Sequence, residues 1–340
     1  MSERIAGGRM PAANTLLFIS EADTAALLNW PDVIACLATA YAAADEPAAV
    51  PPRVVARKQG AWLRVLAAMS SGNHMGAKII ARARTPQLSY LMPLWDRDTA
   101  ELVCLLDAKH ITGMRTAGTT AMAADRILPA KPLRVAVLGS SHEAQAHAAA
   151  LAAIREIAAM TVYSPTPASR EGFARRFSAE SGIACTAVPS PRAAIEEADL
   201  ILCAARSHDE TPILEGAWLR PGVMVASIGS TLPEQIEVDP EVIRRAAVIV
   251  ADVPAEVMHE TGDLLAAAAA GVTFADKVIA LHDLVQGRRA AVQTAGNIVL
   301  FKSVGSALQD MAVAELCLAE ARSRGMGTAL PVGLTVKGRG

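Results

Sequence analysis

The sequence predicts an α/β protein in which a doubly wound parallel sheet is joined to a second, α+β region. Three observations carry this. From Arg134 onward, short apolar runs alternate with helical patterns, as in a parallel sheet with helices on both faces. Before that, from Arg53 to Asp107, β-like runs follow one another with turn residues but no helices between them, which is an antiparallel signature. The chain's phosphate-type turn, within Leu133–Ala144, comes late and leaves a large N-terminal segment for another task.

The elements follow in order. A short strand is expected at Leu16–Ile19, then two helical patterns. The second, Pro31–Asp45, sets Val33, Cys36, Leu37 and Tyr41 on one face and has proline in its first turn. Pro51-Pro52-Arg53 ends it. Strands are expected at Val54–Arg57, Trp62–Ala67, Met75–Ala83, Tyr90–Asp96 and Glu101–Leu106. A long helix rich in small residues spans Lys109–Leu128, and Pro129 and Pro132 mark a hinge. The βαβ series places strands at Arg134–Leu138, Met160–Tyr163, Ala184–Val188, Leu200–Ala204, Val223–Ile228 and Ala247–Ala251. Helices are expected at Glu143–Ile157, Ala168–Ser181 and Pro191–Glu197, and a last amphipathic helix at Asn297–Arg324, closed by Gly325.

Composition narrows the class. A chain of 340 residues fits about two domains, and 52% hydrophobic against 19% charged residues allows a sizeable core. A net charge of −2 with no basic cluster speaks against nucleic acid. The five scattered cysteines show no zinc spacing, so no metal site is expected, and they suit reduced core packing. Met1–Asn14 reads as a flexible leader without a signal-peptide core, and Leu264–Ala275 is too short to span a bilayer; a soluble cytoplasmic protein is expected, with no membrane partner.

The late turn suits a dinucleotide. Gly139 supplies the tight bend and Ala144 the close helix packing, while Ser141 replaces the second glycine and adds a hydroxyl. Ser140, Ser141, His142 and Glu143 then open a helix whose N-terminus can hold phosphate. At the end of the next strand, Tyr163-Ser164-Pro165-Thr166-Pro167 and Arg170 offer hydroxyls and a guanidinium but no carboxylate. NADP(H) is therefore favoured over NAD(H), since a carboxylate there would hold a free 2′-hydroxyl and repel a 2′-phosphate. The same hydroxyls can cap the following helix.

With these parts in this order the chain resembles the ornithine cyclodeaminase/mu-crystallin family. The resemblance runs from about Leu16 to Gly327. It rests on Leu105-Leu106-Asp107, Arg115-Thr116-Ala117-Gly118-Thr119-Thr120-Ala121, and Phe301-Lys302-Ser303-Val304-Gly305 with Asp310. Gly76-Ala77-Lys78 and Pro51-Pro52-Arg53 also match. It implies a homodimer and a split domain: 1–130 with 305–340 for substrate and dimerisation, around a Rossmann-type dinucleotide domain at 131–304. It also implies cofactor contacts from Arg115, Thr116, Gly139–Glu143, Ser164, Thr166, Arg170, Ala205, Gly229 and Ser303.

The family handles 2-imino or 2-amino carboxylates. Arg53 and Arg115 would grip the substrate carboxylate, for which a planar guanidinium is suited. Lys78 stands in an otherwise apolar strand, a costly place for an unpaired charge, and the matching family lysine lies by the reacting carbon and nitrogen. Cyclodeaminases of the family carry aspartate where this chain has Thr231. Threonine cannot act as a base at neutral pH, and mu-crystallin, a ketimine reductase, also has a hydroxyl residue there.

The expected function is thus NAD(P)H-dependent reduction of small α-imino acids or ketimines, with Lys78 supplying the proton and Thr231 orienting the nitrogen. The alternatives are an ornithine cyclodeaminase or amino acid dehydrogenase in which Asp107, Glu234, Glu237 or Asp263 replaces the missing acid, and a dinucleotide-binding protein that has lost turnover. His142 is expected to face phosphate or solvent, His74 to be a surface histidine, and Asp310 to tie down the last helix.

Overall fold

The computed structural model describes residues 16–43, 46–85, 87–205, 209–289, 292, 294–331 and 334–337. The leader expected over Met1–Asn14 and the expected helix end at Asp45 lie outside them. The chain divides into two compact units, one up to Arg115 together with Ser306 onward, the other Thr116–Gly305.

The first unit is built on a mixed seven-stranded sheet. Strands β1 (Leu16–Ile19), β2 (Val54–Lys58), β3 (Ala61–Met69), β4 (His74–Arg82), β5 (Leu88–Asp96) and β6 (Leu102–Asp107) are joined by a late β15 (Thr328–Leu330) in the order β15-β1-β6-β5-β4-β3-β2. β2 to β6 form the expected antiparallel meander, whereas β1 runs parallel to β6. Helix α1 (Glu21–Leu27) starts at a capping box of Ser20 and Asp23. α2 (Trp30–Ala42) is capped by Asn29 and buries Val33, Leu37 and Tyr41. The division between units falls inside α3 (Lys109–Ile127).

The second unit carries eight parallel strands: β7 (Leu133–Leu138), β8 (Ile157–Tyr163), β9 (Cys185–Ala187), β10 (Leu200–Cys203), β11 (Met224–Ser227), β12 (Ala246–Ala251), β13 (Val278–Ala280) and β14 (Ile298–Lys302). Their order is β13-β12-β14-β11-β10-β7-β8-β9, so the winding reverses between β7 and β10. That switch point is where a doubly wound sheet opens a crevice at its carboxyl ends. Helices α4 (His142–Ala152), α5 (Pro167–Ser181), α6 (Pro191–Ile195), α7 (Pro240–Arg245), α8 (Pro254–Glu260), α9 (Gly262–Ala269) and α10 (Leu281–Val285) complete it.

One element departs from expectation. The segment expected to open the last helix is β14, fully buried at the centre of the sheet between β11 and β12, and α11 (Ala307–Arg324) begins only after the Ser306 cap. Ile298-Val-Leu-Phe is a continuous apolar run, and periodicity cannot distinguish a buried parallel strand from a buried helix. Similarly, α4 stops at Ala152 and Ile157 already opens β8, where a helix to Ile157 was expected. Among the described residues, no single helix is long and apolar enough to cross a membrane.

Candidate active site

Helix α11 turns its first polar residues inward. Gln309 and Asp310 are both fully buried on the first unit's sheet. The helix reaches the sheet because Gly76 has no side chain: a Cβ there would lie 2.8 Å from the Pro93 carbonyl and 2.9 Å from Met311 Sδ. Two residues along β4, Lys78 Nζ donates to Asp310 Oδ1 at 2.7 Å. Arg115 Nε donates to the same oxygen at 3.0 Å, and its Nη1 to Gln309 Oε1 at 3.0 Å. Gln309 Nε2 in turn donates to the Tyr41 hydroxyl at 2.8 Å. Asp310 Oδ2 is buried without a hydrogen-bond partner among the described residues.

Asp310 therefore does more than fasten the helix. It is the shared anchor of Lys78 and Arg115, two of the three cations singled out by sequence for the substrate. Lys78 is 1% exposed. Burial, the Arg115 charge and the Arg64 charge pull its ammonium down to about 8 against the opposing pull of Asp310.

Arg64 was not anticipated. Leu66 pairs with Lys78 and Arg64 with Ile80, so the arginine and the lysine occupy one face of the sheet. Its guanidinium stacks 5.0 Å over the Trp62 ring. The signal was available, since a charged residue inside the apolar run of β3 is as anomalous as Lys78 in β4. Arg53 lies just before β2, half-buried, where Val55 pairs with Arg64.

His74 is also not a plain surface residue. Its Nδ1 lies 2.7 Å from Glu315 Oε1, and Ser70 Oγ donates to that same oxygen, which joins the β3–β4 turn to α11.

In the second unit, Gly139 follows β7 with φ +124°, and a Cβ there would lie 2.7 Å from the Ala204 carbonyl. Only glycine suits both the conformation and the close approach. Ser140 Oγ donates to Ser164 Oγ at 3.0 Å. Ser141 caps α4 by accepting the Ala144 N–H, and His142 and Glu143 are exposed in the first helical turn. Thr166 is the N-cap of α5 but makes no side-chain cap bond, so its hydroxyl is not used as a cap. Arg170 Nη1 donates to the Ser164 carbonyl at 2.9 Å.

The remaining expected residues lie at strand ends or on α3. Ala205 and Gly229 form the turns after β10 and β11; both donate their N–H to Glu237, at 3.1 and 3.0 Å. Thr231 is half-buried, with its N–H held by Gln235 Oε1 at 2.9 Å. Thr116 is half-buried on α3. Ser303 is buried with its hydroxyl donating to Asp252 at 2.6 Å.

The order of elements is matched by known proteins. The sequence profile of the ornithine cyclodeaminase/mu-crystallin family matches residues 17–325. The chain belongs to this family. A Δ1-pyrroline-2-carboxylate reductase from Burkholderia ambifaria is 31% identical over 313 residues, covering 89% of this chain and 95% of that one. A Δ1-pyrroline-2-carboxylate/Δ1-piperideine-2-carboxylate reductase from Azospirillum brasilense matches with the same identity and coverage. Among solved structures, Thermococcus litoralis Δ1-pyrroline-2-carboxylate reductase in complex with NADH and L-proline superposes with a TM-score of 0.85 at 25% identity, covering 92% of this chain and 100% of that one. Within the family frame, Glu237 and Asp263 are buried at 0% exposure and hydrogen-bonded inside the second unit, whereas Glu234 is exposed.

Proposed function

We propose that this family member is an NAD(P)H-dependent reductase of small α-imino acids, with cyclic ketimines such as Δ1-pyrroline- or Δ1-piperideine-2-carboxylate as the substrate class. The observation that carries the reading is the Lys78–Asp310–Arg115 cluster. Lys78 and Arg115 share Asp310, and the Arg64 charge also bears on Lys78, which makes the cluster suited to an anionic ligand. A guanidinium matches a carboxylate in shape and charge. The lysine, drawn down to about 8, exchanges protons near neutral pH. The relatives named as reductases of such imines support the same substrate class.

In this reading Arg53 and Arg115 hold the substrate carboxylate, Lys78 gives its Nζ proton to the imine nitrogen, and Thr231 orients that nitrogen. Asp310 keeps Lys78 in place and takes part in returning its proton. A bound reduced dinucleotide supplies the hydride to the imine carbon. The turn at Gly139, the N-terminus of α4 and the turns after β10 and β11 fit such a group. Ser164, Thr166 and Arg170, with no carboxylate among them, favour NADP(H) over NAD(H). A buried, partly compensated lysine has no use in a protein that merely binds the dinucleotide, and no acid occupies position 231 for cyclodeamination.

The open face of the first sheet supports a homodimer. Val54, Val65, Ile79 and Leu91 form one row across four strands, and Val54 remains 64% and Leu91 39% exposed. The test of the function is direct. Purified protein is mixed with each imine and NADPH or NADH, and absorbance is followed. Oxidation of the nucleotide is expected, faster with NADPH; no oxidation with any imine, or ammonia release from ornithine instead, removes the reading.

A further inference from the structure

The turns after β10 and β11 are held from below by one carboxylate. Glu237 is fully buried; its Oε1 accepts the Ala205 N–H, and its Oε2 accepts the Gly229 N–H and, at 2.7 Å, the Ser227 hydroxyl. Gly229 is required there, because a Cβ would collide with Glu237 Oε1. Behind the carboxylate, Lys302 Nζ on β14 donates to Ser227 Oγ at 2.8 Å and to Asp263 Oδ2 at 2.6 Å. Asp263 Oδ1, on α9, accepts the N–H groups of Glu237 and Val238 at 2.7 and 3.1 Å. The network is closed, and it makes no use of the residues assigned to proton transfer.

Its position gives it a second role, which rests on the dinucleotide reading above. The adenosine end of a dinucleotide belongs over β7 and β8, where Gly139 and Ser164 lie. A dinucleotide crosses the switch point, so its nicotinamide half falls over the turns after β10 and β11. Those are the two turns that Glu237 braces.

The charges are unbalanced. With Glu237 ionised, two carboxylates share the Lys302 ammonium. The other titratable group facing them is Cys203 on β10, whose thiol is pushed well above its ordinary range by burial and by these carboxylates, so it stays neutral. Burial chiefly, with Asp263, raises the Glu237 carboxyl to about 7 against the pull of Lys302 and its hydrogen bonds. The oxidised nicotinamide ring is a cation and the reduced ring is neutral.

We propose that Glu237 is a positioning residue for the nicotinamide half of the cofactor, and that its ionised carboxylate favours the oxidised dinucleotide over the reduced one. By linkage, the oxidised form then binds with release of a proton and the reduced form does not. The preference is absent when Glu237 is protonated and grows as pH rises through neutrality. His142 and the phosphates do not confound it, because both redox forms share them and they cancel in the ratio of affinities.

The experiment measures dissociation constants of NADP+ and NADPH on the full chain from pH 6 to 8.5, by fluorescence and by calorimetry in buffers of different ionisation enthalpy. The wild-type ratio should shift toward NADP+ by about fivefold, the low end of coupling between sites, with proton release on NADP+ binding alone. Glu237→Gln, which keeps the shape, should flatten the ratio. A wild-type ratio that does not change with pH while both forms bind overturns the proposal and leaves the dinucleotide reading intact. Binding of neither form overturns both.

Discussion

The two units each bury a lysine against an aspartate, and the two pairs are chemically opposite. Lys78 on β4 meets Asp310 on α11 at 2.7 Å, and Lys302 on β14 meets Asp263 on α9 at 2.6 Å; all four side chains are essentially inaccessible. Around Lys78 the extra neighbours are cations, Arg115 and Arg64, and one oxygen of Asp310 is left without a partner among the described residues. Around Lys302 the extra neighbour is a carboxylate, Glu237, and both oxygens of Asp263 are hydrogen-bonded. The first cluster sets two further cations near its lysine and leaves an acceptor atom unmet among the described residues, which suits the proposed uptake of an anion and a proton. The second is internally satisfied and acts through the backbone it holds. A buried ion pair alone thus says little about function; the charge left over, and the polar atom left unpaired, say more.

Removing the lysines should separate the two most sharply. Lys78→Met is expected to lower kcat by ~10²–10⁴-fold, the usual contribution of a positioned acid. Its melting temperature should hold, because Arg115 still pairs with Asp310. Lys302→Met leaves two carboxylates buried without their cation and should cost about 3–5 kcal/mol of stability, read by urea denaturation. Equal losses of stability in the two variants would erase the distinction between the two clusters.

The cations near Lys78 also set a pH limit. The proposed reduction would need the protonated ammonium, so kcat/KM should be flat below about pH 8 and fall tenfold per pH unit above it. Arg64→Gln removes a repelling cation, which favours the protonated lysine and moves the break upward. A break that stays in place would mean that Arg64 does not bear on Lys78 and that its stacking on Trp62 is its whole role.

Much of this was legible in the sequence, and the gaps have physical reasons. The meander, the βαβ series and the turn at Gly139 are local patterns, set by alternation and by a backbone conformation that suits glycine. Lys78 stood out as a charge in an apolar strand, and Arg64 would have done so by the same criterion. Asp310 reads only as a tie for its helix, because a helix presents its residue to whatever lies opposite, and the partner, β4, is remote in sequence. Glu237 and Asp263 are visible as carboxylates but cannot be placed, since their network closes through β14, whose apolar run reads as helix. One strand misread as helix therefore concealed a whole buried cluster.

The smallest effect is expected where the second cluster touches chemistry indirectly. Glu237 fixes the Gly229 N–H, Ser230 Oγ donates to the Gln235 carbonyl, and Gln235 Oε1 holds the Thr231 N–H, so the turn is set without the threonine hydroxyl. Thr231→Val should therefore keep the fold and the melting temperature. It removes a neutral hydrogen bond, worth about 1 kcal/mol, so kcat/KM should drop by roughly fivefold with its pH break unchanged. A loss as deep as that of Lys78→Met, or disappearance of the break near pH 8, would make Thr231 a member of the proton path. The turn over the negative cluster would then carry chemistry of its own, and the division between the Lys78 site and a closed, negative brace would no longer hold.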